Sequence, residues 1–199
     1  LAEAARSERC FDFLQESTYI EKSPEAWRLA LDITAGRDDV WGAACAIMDH
    51  IHSRFAYTPN LTCVHTHMRD VLSDNRGVCQ DFAHLMIGAR RMHGLAARYV
   101  RGSLLTTPVH AAANDAPMLG GDASHAWLAL WCPLAGDMPG SPARWLELDP
   151  TNNLLPGESH IRLALGRDYG DVTPLRGVIR GGGAHQLAVG VHTQRLDAD

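Results

Sequence analysis

With 199 residues, 46% of them hydrophobic and 21% charged, the chain has the composition of an ordinary globular protein, long enough for one substantial core. Its 18 basic against 23 acidic residues leave a net charge of −5, which argues against nucleic acid or an anionic membrane surface as a partner. No apolar run approaches the ~20 residues of a membrane-spanning helix; the longest, around Ala126 to Cys132, suits a buried strand.

Leu1 rather than methionine opens the chain and no signal-peptide pattern follows, as expected of a trimmed chain or a fragment of a longer one. The cysteines Cys10, Cys45, Cys63, Cys79 and Cys132 are odd in number, scattered and without C-x-x-C spacing. That pattern fits reduced thiols in a cytoplasmic protein better than a disulfide framework.

Residues 1–19 carry weak periodicity and read as a partly extended lead-in. Ser23 and Pro24 supply an N-cap and a first helical position, and Trp27, Ala30, Leu31 and Thr34 continue one face of a helix closed by Gly36. A second helix runs from Asp38 or Asp39 to Phe55, with Trp41, Ala44, Cys45, Met48, Ile51, His52 and Phe55 forming its buried stripe. A loop with some extended character follows from Tyr57 to Val64, then a short helix around Asp70, Val71 and Leu72, ended by Ser73, Asp74 and Asn75.

From Cys79 the apolar residues Phe82, Leu85, Met86, Ala89 and Met92 recur at three- and four-residue steps, predicting a helix that ends at Gly94. Ala96 to Leu105 is a strand, and the small and polar residues from Thr106 to Gly121 form a long loop. Ser124 to Cys132 and Arg144 to Leu148 are two strands joined by a turn rich in proline and glycine. Beyond Pro150 the chain reads as irregular, with a last candidate strand at Leu187 to His192 after the Gly181 to Gly183 turn. Helices followed by a meander predict an α+β fold, with helices packed on an antiparallel sheet or small barrel.

The residue with the most chemical promise is Cys79. It stands where Arg76, Gly77 and Val78 give way to a helix, and in a first helical turn the unpaired N–H groups and the dipole favour a thiolate and an oxyanion beside it. A thiolate nucleophile needs an imidazole to manage protons during acyl transfer. His125, opening a strand and followed by Ala126 and Trp127, is the candidate, and Asp149, ending the next strand, is the acceptor that would fix its tautomer if the two strands pair as a hairpin. His84 is a rival base, five residues from Cys79 and so off its helical face. Cys63, His65 and His67 alternate as a zinc set would, without a fourth ligand at a recognisable spacing.

Gly77 to Ala83, Ala97 to Val100 with Gly102, Ser124 to Trp127, and Leu148 to Asn152 together resemble the transglutaminase-like superfamily core. The bacterial branch of candidate cysteine proteases is the most similar, and His160 to Arg162, Gly166 to Tyr169 and Pro174 to Gly177 also resemble it. The resemblance implies a papain-like fold with Cys79, His125 and Asp149 as catalytic triad, in one domain over 1–199 whose core is about 39–177, preceded by a lead-in and first helix over 1–38. It implies thioester-mediated acyl transfer on a peptide or glutamine carboxamide, with water as acceptor in a peptidase or an amine in a transglutaminase. Animal transglutaminases use calcium; no EF-hand-like loop or dense carboxylate cluster stands here, so no cofactor or metal is expected. The Cys79 N–H is the natural first oxyanion donor, with Gln80 or a tryptophan indole as candidates for the second. Asp81 reads as an early-helix carboxylate favouring the dipole, and Asp168 and Tyr169 as a local turn. The competing readings are a folded scaffold that keeps the triad as a binding module and, third, a metal-dependent hydrolase.

Overall fold

The chain builds its helices before its sheet. The computed structural model describes residues 8–59, 66–105, 118–120, 124–132, 145–174, 177, 180–182 and 190–193. A single helical turn, α1 (Glu8–Phe11), leads through a 3-10 turn to α2 (Pro24–Thr34), which Ser23 caps by accepting the Ala26 N–H at 3.1 Å. The buried face of α2 is Ala26 and Ala30, whereas Trp27 and Leu31 are 44% and 40% exposed, a correction to the predicted stripe. Small residues on that face let α2 lie close against α3 (Val40–Arg54) and against the later helix over Cys79–Met92. In α3, capped by Asp39, the residues Ala44, Met48, Ile51 and Phe55 are buried as expected and Trp41 and Cys45 pack against the core more loosely. His52 is not part of that stripe: it is exposed and its Nδ1 lies 2.9 Å from the Thr151 carbonyl oxygen.

Two-residue strands β1 (Ala56–Tyr57) and β2 (Arg76–Gly77) pair in parallel on either side of α4 (Met68–Asp74), and so deliver the chain to the start of α5 (Cys79–Met92). Periodicity predicts one buried face for α5, but Phe82, Ala83, His84, Leu85, Met86, Ile87 and Ala89 are all buried. The helix has the strands Ala97–Leu104 and His125–Trp131 on one side and α2, α3 and α4 on others, so it is the central element. Gly94, at φ 75°, ends it.

Four antiparallel strands follow in the spatial order β5 (Trp145–Leu148), β4 (His125–Trp131), β3 (Ala97–Leu104), β6 (His160–Gly166). The expected β4–β5 hairpin is present, with Leu128 opposite Leu148. Among the described residues this is an open sheet rather than a barrel. The irregular chain expected after Pro150 is instead β6, with Val100 opposite Leu165 and Leu104 opposite His160. Its alternating Ile161, Leu163 and Leu165 point outward and are 38%, 61% and 40% exposed, so this edge strand is held by backbone pairing with β3 rather than by apolar burial. Residues 190–192 carry no strand, while 183–189, most of the predicted 106–121 loop, and Cys63 and His65 lie outside the described residues.

Candidate active site

The three segments expected to converge do so at one end of the sheet. Val78, in extended conformation, is the N-cap of α5, and its N–H donates to Asp81 Oδ2 at 2.8 Å, so Asp81 closes the helix start from inside. Cys79 is the first helical residue, 8% exposed, and its own N–H has no intrahelical acceptor at that position. His125 begins β4 and Asp149 follows β5 directly; both side chains are fully buried, and His125 Nε2 lies 2.8 Å from Asp149 Oδ2.

Asp149 is satisfied throughout. Oδ1 accepts the backbone N–H groups of Thr151 at 2.9 Å and Asn152 at 3.2 Å, while Oδ2 accepts the Asn152 side-chain amide at 2.8 Å and His160 Nε2 at 3.1 Å besides His125. Burial alone would push this carboxyl up; the hydrogen bonds from His125 and His160, the His125 charge and Asn152 outweigh it and hold the group well below the usual carboxylate range. For His125 burial opposes the charged ring, yet the hydrogen bond to Asp149, the neighbouring Cys79 sulfur and the charges of both raise it to about 9. Nδ1, the nitrogen left for Cys79, is buried and makes no close hydrogen bond among the described residues.

Aromatic and backbone contacts set the rings in place. The Trp127 ring stacks with His125 at 5.9 Å and meets His160 edge-on at 5.2 Å, and its Nε1–H donates to Glu147 Oε2 at 2.8 Å, with Arg162 on the other Glu147 oxygen. That indole is therefore committed and does not serve as the second oxyanion donor. It lies flat across β3 because position 102 is glycine: a Cβ there would stand 2.4 Å from the indole and 2.1 Å from the Ile161 carbonyl oxygen. Opposite, Leu119 exchanges two hydrogen bonds with Asn152, and Gly120, at φ 87°, backs onto His125, where a Cβ would stand 2.6 Å from Nδ1. The turn after Asp149 is tied to α3 by His52 and by Asn153 donating to Asp49.

The rival base is removed from the site. His84 Nε2 accepts the Tyr169 N–H at 3.2 Å between the rings of Tyr19 and Tyr99, and burial lowers it to about 3. Asp168 accepts the Gly170 N–H in the local turn expected of it, and beyond that expectation also accepts the N–H of Tyr19, remote in sequence. His67 is exposed, 3.8 Å from Glu21. The part of the site that sequence reasoning missed is the support of Asp149 by Asn152 and His160. The Asp149-Pro150-Thr151-Asn152 turn carries a local signal, since an Asp side chain accepts N–H groups two and three residues on; His160 carries none, because its strand pairs at long range. His125, Asp149 and His160 also offer three ligand atoms within 4.8 Å of one another. Both Nε2 atoms point at Oδ2, so a metal would need two lone pairs where the carboxylate now receives two N–H groups. A surface cavity of about 330 Å³ between α2, α3 and α4 is lined by Glu25, His50, Phe55 and Arg69, among others, and by none of the three triad candidates.

Residues 28–150 match the model of the transglutaminase-like superfamily core. The chain belongs to the transglutaminase-like superfamily. It is 44% identical over 133 residues to an uncharacterized protein of Mycobacterium tuberculosis, an alignment covering 67% of this chain and 40% of that one. With an uncharacterized protein of Mycobacterium leprae it shares 40% identity over 144 residues, covering 72% and 47%. The chain thus spans less than half the length of these mycobacterial relatives. Among solved structures, a candidate cysteine protease from Cytophaga hutchinsonii superimposes with a TM-score of 0.68 at 25% identity, covering 87% of this chain and 52% of that one. The periplasmic domain of TgpA from Pseudomonas aeruginosa, bound to ethylmercury, gives a TM-score of 0.52 at 24% identity, covering 76% and 52%, and shares the fold. The mixed helices and antiparallel sheet are therefore those of a transglutaminase-like cysteine protease fold. No helix among the described residues is long and apolar enough to cross a membrane. With a periplasmic domain among the structural neighbours, the comparisons lend the cytoplasmic expectation no support.

Proposed function

We propose that this transglutaminase-like domain is an enzyme of thiol-dependent acyl transfer on a peptide or protein carboxamide. The Cys79 thiolate adds to the carbonyl carbon, the oxyanion rests against the Cys79 N–H, and the C–N bond breaks as the His125 imidazolium gives its proton to the departing amine. A thioester remains. Water or an amine then attacks it, His125 takes the proton of that nucleophile, and the thiolate leaves as acid or new amide forms. Asp149 holds the His125 tautomer with its acceptor side toward Cys79 and stabilises the imidazolium while it exists.

The observation that carries this reading is the buried 2.8 Å bond between His125 Nε2 and Asp149 Oδ2, with Nδ1 left unpaired for a sulfur at a helix start. The test is alkylation by iodoacetamide near pH 6, with the modified thiol located by mass spectrometry. Rapid labelling of Cys79 that is lost in His125→Ala supports the enzyme. Equally slow labelling of every cysteine overturns it in favour of a scaffold that binds without reacting.

A further inference from the structure

The acyl-transfer reading uses one histidine on Asp149, yet the carboxylate receives two. His160 opens β6, its side chain is 2% exposed, and its Nε2 stands 3.1 Å from the same Oδ2 that His125 approaches at 2.8 Å. Because a carboxylate oxygen only accepts, the proton of each bond lies on Nε2. The His160 lone pair is then on Nδ1, which is buried and has no partner among the described residues. The ring is not placed there by chance packing: Trp127 presses on it edge-on at 5.2 Å and also stacks with His125, so one indole sets the separation of the two imidazoles, 6.1 Å between centroids.

Orientation of the carboxylate is already fixed without His160, by the two backbone N–H groups on Oδ1 and by the Asn152 amide on Oδ2. What His160 adds is electrostatic. A donor on Oδ2 spreads the negative charge of that oxygen and points a positive N–H dipole toward the neighbouring imidazolium. The groups facing His125 are Asp149 and His160 on the sheet side, Cys79 from α5, and, past Trp127, the Glu147–Arg162 pair. Of these, His160 is the donor that competes with His125 for one oxygen.

We propose that His160 is a positioning residue of the active site: by sharing Asp149 Oδ2 it sets how firmly His125 holds its proton, and so keeps His125 able to release that proton to a leaving amine. The reaction chemistry in this proposal rests on the acyl-transfer reading; the proton affinity itself does not. Without His160 more of the Oδ2 charge falls on His125, which becomes a more reluctant acid. The inference concerns a residue that acts on His125 through Asp149.

The experiment is an NMR titration of the His125 ring in the full chain, for the unsubstituted protein, His160→Gln, whose amide places an N–H where Nε2 was, and His160→Leu, which removes the donor at similar volume. The expected result is an upward move of the His125 titration by about half a pH unit or more in His160→Leu and restoration in His160→Gln. Ring 15N shifts should also show a proton on His160 Nε2. A His125 titration that falls or stays put in His160→Leu, or a His160 Nε2 that carries no proton, overturns the inference. If His160→Leu does not fold, the Nε2 proton measurement on the unsubstituted protein still decides it. Since no readout here depends on turnover, an inert Cys79 in the alkylation assay would sink the enzymatic reading while leaving this result to stand on its own.

Discussion

The buried His125–Asp149 pair ties the stability of the fold to pH, and the size of the effect follows from the site. His125 rises from 6.5 to about 9 on folding. At ~1.4 kcal/mol per factor of ten in proton affinity, that rise is worth about 3 kcal/mol, a sizeable part of the ~5–15 kcal/mol that stabilises a typical domain. A group whose affinity for protons is raised in the folded state stabilises it while protonated. The contribution is therefore complete below about pH 6.5, declines as pH rises, and is gone once pH passes about 9. His125→Gln removes the titration while keeping an N–H that can reach Asp149. Urea denaturation of both proteins at pH 6 and pH 10 isolates the term, because tyrosine, lysine and cysteine titrations elsewhere are common to both. The stability difference between them should shrink by about 3 kcal/mol from pH 6 to pH 10. A difference that stays constant within ~0.5 kcal/mol would refute the reasoning, because His125 would then be an ordinary or neutral imidazole in the folded protein.

Three further outcomes follow from close contacts. Gly102→Ala drives a methyl into the Ile161 carbonyl oxygen and the Trp127 indole, and should cost about 2–4 kcal/mol in a urea titration as β6 or the indole is displaced. Gly120→Ala places its methyl against His125 Nδ1 at a backbone angle that disfavours any side chain, so Cys79 alkylation near pH 6 should slow by about tenfold or more. Arg91 donates to the backbone carbonyls of Gln15, Ala97 and Arg167, fastening the lead-in and the chain beyond β6 to α5. Arg91→Met strands those three acceptors and should lower stability by about 3 kcal/mol, with hydrogen exchange rising first around residues 15–20.

The legible parts of the fold were those with local causes. Ser23 with Pro24, Asp39, and Gly94 mark helix ends through their own side chains or backbone freedom, and the observed helices begin and end within a residue or two of them. The β4–β5 hairpin was readable because both strands are short apolar runs. What failed needed neighbours that are remote in sequence. Strand β6 buries little of its own apolar surface, and the stripe of α2 is set by how closely Ala26 and Ala30 let it approach its partners rather than by where its largest residues stand. At the site the same division holds. The Asp149 turn announces its own N–H donors, whereas His160 reaches the carboxylate only because β6 pairs with β3.

On the proposed chemistry, the two halves of the site favour opposite charges for separate reasons. The start of α5 favours negative charge at Cys79 through unpaired N–H groups and the dipole of a fourteen-residue helix. The sheet side favours positive charge at His125 through a carboxylate that five donors keep ionised although it is fully buried. The two preferences reinforce each other, because the Cys79 sulfur and its charge add to the effect of Asp149 in raising His125. A thiolate facing an imidazolium is the arrangement in which both preferences are met. Choice of substrate and of water or amine as acceptor must then lie in the surfaces around the pair, since acylation makes the same demand on Cys79, His125 and Asp149 in either case.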